Sequence, residues 1–228
     1  MGLRRDGQPN PVPLDGAFLP FQRSLDALWA NLSRKGDAGS PERLLFVSPT
    51  HGEGASTIAS CTAIGFARHL REKVLLIEAN LYAPSVAAYL GLPVSFGLSE
   101  VLKSELPLEE AILSTEIAGL DVLPAGTARH PEPGEFASDF AAAILAQAER
   151  GYRYILVDGP PLLLYPDSRI LLRNVDEAVL VVRAKVTRRD MAENALQILK
   201  SSGVWVAGVV LNRFSSDVPA WLAKKGIG

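Results

Sequence analysis

The stretch Ser48-Pro49-Thr50-His51-Gly52-Glu53-Gly54-Ala55-Ser56-Thr57 carries the pattern of a phosphate-binding loop. Gly52 and Gly54 let backbone N–H groups approach an anion, and the first N–H groups of a following helix extend the same cradle. Ser56 stands where a hydroxyl reaches a magnesium ion, and Thr57 serves equally as a helix-start residue. In an ordinary loop of this kind a lysine comes just before that hydroxyl; here the position holds Ala55. Asp158, closing an apolar run, has the setting of a second metal-organising carboxylate. Glu78 and Asn80 close another run. Glu78 can hold a metal-bound water, whereas neutral Asn80 is a poor base. The plain alternatives are a tight strand-to-helix turn without a ligand and a strand-end aspartate that caps the next turn. His51 reads as an exposed loop side chain, and the lone Cys61 as a small buried apolar residue.

These residues need a scaffold that brings strand ends together. Apolar runs at 44–47, 74–77, 120–123, 154–158, 177–183 and 204–211 read as strands. Between them, helices are expected after the loop, at 99–103, around 108–113, and at 135–150, 167–173 and 188–201. Continuous apolar strands alternating with helices predict an α/β fold, a mostly parallel sheet with helices on both faces. Ligands of such sheets bind beyond the carboxyl ends of the strands. The loop at 48–57, Glu78 and Asn80, Asp158 and Asn212 all fall at such ends, so one crevice is expected to collect them.

The totals set outer bounds. A chain of 228 residues is long enough for one well-packed domain, expected at 17–222, with a flexible arm at 1–16 and a loosely attached tail at 223–228. Residues 17–34 place Phe21, Leu25, Leu28, Trp29 and Leu32 at helical spacing, and Trp221-Leu222 is a candidate anchor for the end of the chain. The net charge of −2 gives no electrostatic case for nucleic acid. No apolar run approaches the roughly 20 residues that span a bilayer, and no signal-peptide core follows Met1. A cytoplasmic location is expected, with any membrane association through a partner.

Read in order, the motifs resemble those of the bacterial protein-tyrosine kinases of capsular and exopolysaccharide biosynthesis, within the MinD/ParA-type P-loop class. The loop parallels a first motif usually written Gly-Glu-Gly-Lys-Ser/Thr. The run Leu75-Leu76-Ile77-Glu78-Ala79-Asn80-Leu81, with Pro84-Ser85, parallels a second, usually Ile-Asp-Ala-Asp-Leu followed by Pro-Ser. Gly97-Leu98-Ser99-Glu100-Val101-Leu102, Leu123-Pro124-Ala125-Gly126, Ile155-Leu156-Val157-Asp158-Gly159-Pro160-Pro161 and Gly208-Val209-Val210-Leu211-Asn212-Arg213 resemble further segments. The resemblance implies ATP and Mg2+ as cofactors. Residues 52–57 with Asn212 and Arg213 would form the nucleotide site, Asn212 contacting adenine. Ser56, Glu78 and Asp158 would serve the metal, and Glu78 and Asp158 the chemistry. It also implies a membrane polysaccharide co-polymerase as partner, reached at the inner face of the inner membrane, and a possible homo-oligomer.

The departures from the family pattern carry as much information. The loop lysine is Ala55, and the two aspartates of the second motif are Glu78 and Asn80. A ring-assembly motif, Glu-x-x-Arg-x-x-Arg, aligns with Arg23, Asp26 and Trp29 and is lost. The tail after Asn212 has no tyrosine. The expected function is therefore a catalytically impaired kinase-fold component of polysaccharide assembly or export. The alternatives are an active kinase or ATPase with a substitute cation from Arg183, Lys185, Arg188 or Arg189, and a MinD/ParA-type ATPase.

Overall fold

The computed structural model describes residues 42–93, 96–127 and 139–214. The expected arm at 1–16, the helix at 17–34, the first residues of the helix expected from 135 and the tail beyond 214 lie outside the described residues.

Seven strands form one sheet in the order β3-β4-β2-β5-β1-β6-β7. They are β1 Glu42–Val47, β2 Val74–Glu78, β3 Leu113–Ser114, β4 Leu120–Leu123, β5 Tyr154–Asp158, β6 Glu177–Arg183 and β7 Trp205–Asn212. All neighbours are parallel except β3, which pairs antiparallel with β4. The helices are α1 Ala55–Gly65, α2 Val86–Leu90, α3 Leu98–Leu102, α4 Leu108–Ala111, α5 Asp139–Ala148, α6 Asp167–Leu171 and α7 Arg189–Ser201. This is the expected mostly parallel sheet covered on both faces.

Central strands read as unbroken apolar runs because both of their faces are covered. Leu44, Phe46, Leu76, Leu156 and Val179 pack on the α1 side, and Leu45, Leu75, Ile77, Val157 and Leu180 pack on the α5 and α7 side. Helix α1 has no charged residue, as befits an element laid against the sheet, and it runs on into a π-helical turn, Phe66–Leu70. Arg71 ends that turn in the left-handed conformation (φ 56°) and returns the chain to β2.

The helix expected around 108–113 is shorter than its apolar content suggested. It stops at Ala111, Ile112 is extended (φ −78°, ψ 129°), and Leu113–Ser114 pair with Val122 and Asp121 of β4. A two-residue edge strand has too few residues to show a period. Helix α2 was likewise hidden in a stretch broken by proline and glycine. Among the described residues, no helix is long and apolar enough to cross a membrane.

Candidate functional site

The loop leaves β1 and turns at Gly52 (φ 85°) and Gly54 (φ 96°), a backbone region that side-chain-bearing residues rarely adopt. Gly54 is the N-cap of α1 and supplies no side-chain cap, and the first turn of α1 holds no acidic residue. The N–H groups there are left for an anion. The segment after β5 braces the loop: Leu162 N–H donates to the Ser48 carbonyl (2.8 Å) and Leu163 N–H to that of Pro49 (3.1 Å).

Beneath the loop lie two carboxylates. Parallel pairing sets Glu78 of β2 beside Asp158 of β5, one on each of two neighbouring strand ends. Both are buried, Glu78 to 1% exposure and Asp158 to 0%. Glu78 Oε1 accepts from the N–H groups of Ser85 and Val86 (2.5 Å for the latter), and its Oε2 accepts from Ala125 N–H (3.1 Å). Burial pushes its pKa up and these bonds pull it back, the net remaining above the ordinary carboxylate value. Glu78 therefore ties β2 to the 85–86 turn and to the residue after β4. Asp158 is different. Among the described residues neither of its oxygens meets full hydrogen-bond geometry, and the Ser56 hydroxyl is the polar side chain that bears on it. Burial, with the like charge of Glu78, drives its pKa well above the usual range, and the Ser56 hydroxyl from α1 opposes this.

A third buried carboxylate sits in the loop itself. Glu53 is 3% exposed; its Oε1 takes the Thr50 hydroxyl (2.5 Å) and a longer contact from Thr187 (3.5 Å), while Oε2 has no partner among the described residues. Asn212, at the end of β7, donates from Nδ2 to the Glu53 carbonyl (2.8 Å) and packs so closely on Gly54 that a Cβ there would run into it. The other end of its amide accepts Arg213 N–H (2.8 Å). Asn212 thus clamps the loop, and Arg213 is exposed in the left-handed conformation (φ 55°).

The expected residues accordingly fall into two sets. Glu53 and Gly54 touch Asn212, Ser56 touches Asp158, and Glu78 is the register neighbour of Asp158, with Gly52 in the loop turn and Ala55 and Thr57 on the first turn of α1. Asn80 stands apart: its side chain closes a turn on Ala83, accepting from the N–H at 3.3 Å and donating to the carbonyl at 3.5 Å. Ala55 is 7% exposed and belongs to the apolar cluster under α1.

Contacts across the mouth had no signal in the sequence. His51 Nε2 lies 3.1 Å from the Tyr165 hydroxyl, and Tyr165 stacks on Tyr82 with ring centroids 3.6 Å apart. Tyr82 in turn donates to Asp167 at the start of α6. Burial, and then Asp167, push the Tyr82 hydroxyl pKa upward, so it stays protonated. Spacings of 83 to 114 residues separate these partners, and only the fold brings them together.

Of the candidate cations, Arg188 and Arg189 are exposed and tied to Asp190 (2.8 Å) and Glu193 (2.7 Å). Arg183 is half-buried at the end of β6, in register with Asn212, and forms no ion pair among the described residues.

No family model matches the chain. The chain is 32% identical over 170 residues to the tyrosine-protein kinase YwqD of Bacillus subtilis, covering 74% of this chain and 71% of that one. The chain belongs to the bacterial tyrosine-protein kinase family. A further member, the tyrosine-protein kinase Wzc of Salmonella typhi, is 30% identical over 142 residues; the match covers 62% of this chain but 20% of that longer protein. Among solved structures, the chimerical protein CapA2B2 superposes with a TM-score of 0.79 at 25% identity, covering 86% of each chain. The septum site-determining protein MinD of Pyrococcus horikoshii, complexed with Mg-ADP, gives 0.66 at 24% identity over 81% of this chain and 76% of that one. Its likeness establishes the P-loop fold.

Proposed function

We propose that this chain is a nucleotide-binding kinase-fold component of bacterial capsule or exopolysaccharide assembly, impaired in phosphoryl transfer and acting through a membrane polysaccharide co-polymerase. The carrying observation is the composition of the loop site: an α1 N-terminus without a side-chain cap beside fully buried Asp158, whose carboxylate has the Ser56 hydroxyl next to it but meets full hydrogen-bond geometry with no described residue, and Ala55 where the family pattern has lysine.

The residues present fit Mg2+ and a nucleotide. A buried carboxylate that no described residue satisfies at full hydrogen-bond geometry, with the Ser56 hydroxyl beside it, is a donor set suited to a hard cation that keeps most of its waters. Ser56 and Asp158 would hold the ion, and Gly52, Gly54 and the first N–H groups of α1 the phosphates. Bound magnesium supplies neutralisation of phosphate charge. Asn212 keeps the loop in shape through the Glu53 carbonyl, and Glu78 positions the turn beside the metal site rather than exchanging protons. Phosphoryl transfer depends on positioning and charge stabilisation. Loss of one preorganised electrostatic group costs about 100- to 1000-fold in rate. Asn80, neutral and turned onto Ala83, is no proton acceptor for a hydroxyl.

The co-polymerase partner is supported by Wzc, in which the matching part is one fraction of a longer protein. Such a partner would bring this chain to the inner face of the membrane. Calorimetry of ADP binding with and without magnesium, followed by Ala55→Lys, tests the proposal. Magnesium-dependent binding with negligible turnover, raised by the lysine, is expected. ATP-dependent tyrosine phosphorylation by the unaltered chain, abolished by Asp158→Ala, refutes the impairment.

A second reading, an active kinase with a substitute cation, is favoured by one observation, the half-buried Arg183 beside the loop clamp, which forms no ion pair among the described residues. Unchanged turnover in Arg183→Ala removes its basis.

A further inference from the structure

A carboxylate buried inside a phosphate-binding loop calls for a reason, since it brings negative charge toward an anion site. Glu53 is such a residue, 3% exposed and set between Gly52 and Gly54. Both glycines have positive φ (85° and 96°), so the backbone on either side of Glu53 has the least intrinsic stiffness in the loop. Thr50 donates to Glu53 Oε1 at 2.5 Å, and Thr187, in the turn between β6 and α7, donates to the same oxygen at 3.5 Å. Hydrogen bonds define the shape of that turn. The Arg183 carbonyl accepts the N–H groups of Val186 (3.2 Å) and Thr187 (2.9 Å), and Arg183 N–H donates to the Thr187 hydroxyl oxygen (2.8 Å). Lys185 sits in the left-handed region at φ 62°, a conformation kept where the surroundings impose it. Because the Thr187 oxygen takes Arg183 N–H, its own hydrogen is left for Glu53.

These contacts close a circuit that passes through Glu53 twice. Ala184 N–H donates to the Asn212 carbonyl (2.9 Å), and the Asn212 amide donates to the Glu53 carbonyl (2.8 Å). From the Glu53 carboxylate the circuit returns through Thr187 to Arg183, the neighbour of Ala184. Backbone and side chain of one loop residue thus grip the ends of two paired strands, β6 and β7. Resting on the nucleotide-binding reading, we propose that Glu53 is a positioning residue for phosphate binding, setting the loop from the β6–α7 turn with Thr187 as its partner. Carboxylate oxygens accept hydrogen bonds and repel phosphate, so Glu53 acts on a ligand through the shape of the loop. Cradle N–H groups serve an anion only when held within about 0.5 Å of the productive geometry. The two glycines do not supply that constraint, and Ala55 lacks a side chain to hold phosphates directly. The turn therefore regulates the same site. A shift of Thr187 moves Glu53, and with it the N–H groups on either side.

Calorimetry of Mg-ADP binding to the full chain tests this, with urea unfolding confirming that each variant folds. Glu53→Ala is expected to weaken binding about tenfold, and Thr187→Val about fivefold, the effect of losing a hydrogen bond at each position. Thr187→Ser, which keeps the hydroxyl, should restore the affinity. Glu53→Ala combined with Thr187→Val should bind no more weakly than Glu53→Ala alone, because the two side chains form one link. A merely structural role would lower the urea midpoints and leave the affinity of the folded chain unchanged, which overturns the proposal. So does a double variant weakened by about the product of the single losses, or Thr187→Ser as weak as Thr187→Val. If Glu53→Ala does not fold, the comparison of Thr187→Val with Thr187→Ser decides. Failure of the unaltered chain to bind Mg-ADP overturns the nucleotide reading itself, whereas binding that the variants leave unchanged overturns the role of Glu53 alone.

Discussion

Replacing Asp158 by Asn tests the reading of the site most directly, because the two sides of the balance separate. Asp158 is fully buried, neither oxygen meets full hydrogen-bond geometry with a described residue, and Glu78 adds a like charge from the next strand, the nearby Ser56 hydroxyl offsetting part of this. An ionised carboxylate in such surroundings costs several kcal/mol after relaxation. Asn has nearly the same shape and leaves a neutral amide short of partners, at about 1–3 kcal/mol. Without ligand, Asp158→Asn is thus expected to stabilise the fold by about 2 kcal/mol, the difference of these two costs. For a chain of this size that raises Tm by roughly 4–8 °C.

The pH dependence has a definite sign. The folded-state pKa of Asp158 is raised, so the folded chain holds the extra proton between the ordinary aspartate value and the raised one. Wild-type stability falls as pH rises through that window, and the penalty is complete above it. The advantage of the Asn variant should be small in acid and largest in alkali. Ligand should reverse the order. Mg-ADP at 100 times its dissociation constant adds about 2.7 kcal/mol to a chain that binds it, and little to one lacking the carboxylate. Differential scanning calorimetry at several pH values, with and without Mg-ADP, reads both effects. A Tm for Asp158→Asn that falls below wild type in alkali, or a difference independent of pH, refutes the unpaired-charge account.

Other expectations follow from particular contacts. Gly54→Ala should destabilise the fold by about 1–2 kcal/mol from its φ of 96° alone, and more because the new Cβ displaces Asn212 from the Glu53 carbonyl; urea unfolding and ADP titration measure the two losses. Glu100 accepts from Gly97 N–H (2.7 Å), Thr127 N–H (3.1 Å) and the Thr127 hydroxyl (2.5 Å); burial opposes its charge, but these bonds outweigh burial and lower its pKa. Its stabilisation is present above the unfolded-state value and lost as pH falls through the lowered one, so Glu100→Ala should cost about 1–3 kcal/mol at neutral pH and less in acid, by urea unfolding. Ala55→Lys should raise any phosphoryl-transfer rate by about 100-fold or more, read by phosphate release, if the absent loop lysine limits that rate.

The sequence alone determined the mostly parallel sheet and which candidate residues fall at its strand ends. Apolar runs such as 74–77 and 154–158 are legible because a strand buried on both faces must be apolar throughout, and the glycines at 52 and 54 are legible because a loop that approaches an anion needs them. The family pattern then marked Ala55 and Asn80 as departures. Composition was silent about Leu113–Ser114, too short for a period, and about contacts between distant segments. Tertiary structure decided that Glu78 is held by three backbone N–H groups while Asp158, its register neighbour, has the Ser56 hydroxyl beside it and no described residue at full hydrogen-bond geometry. It also decided that Asn212 clamps the loop and that His51, Tyr165, Tyr82 and Asp167 meet at its mouth. The physical reason is common to all of these. A residue's type states which bonds it can make, but which partners lie within 3 Å depends on where the fold places residues far apart in the chain.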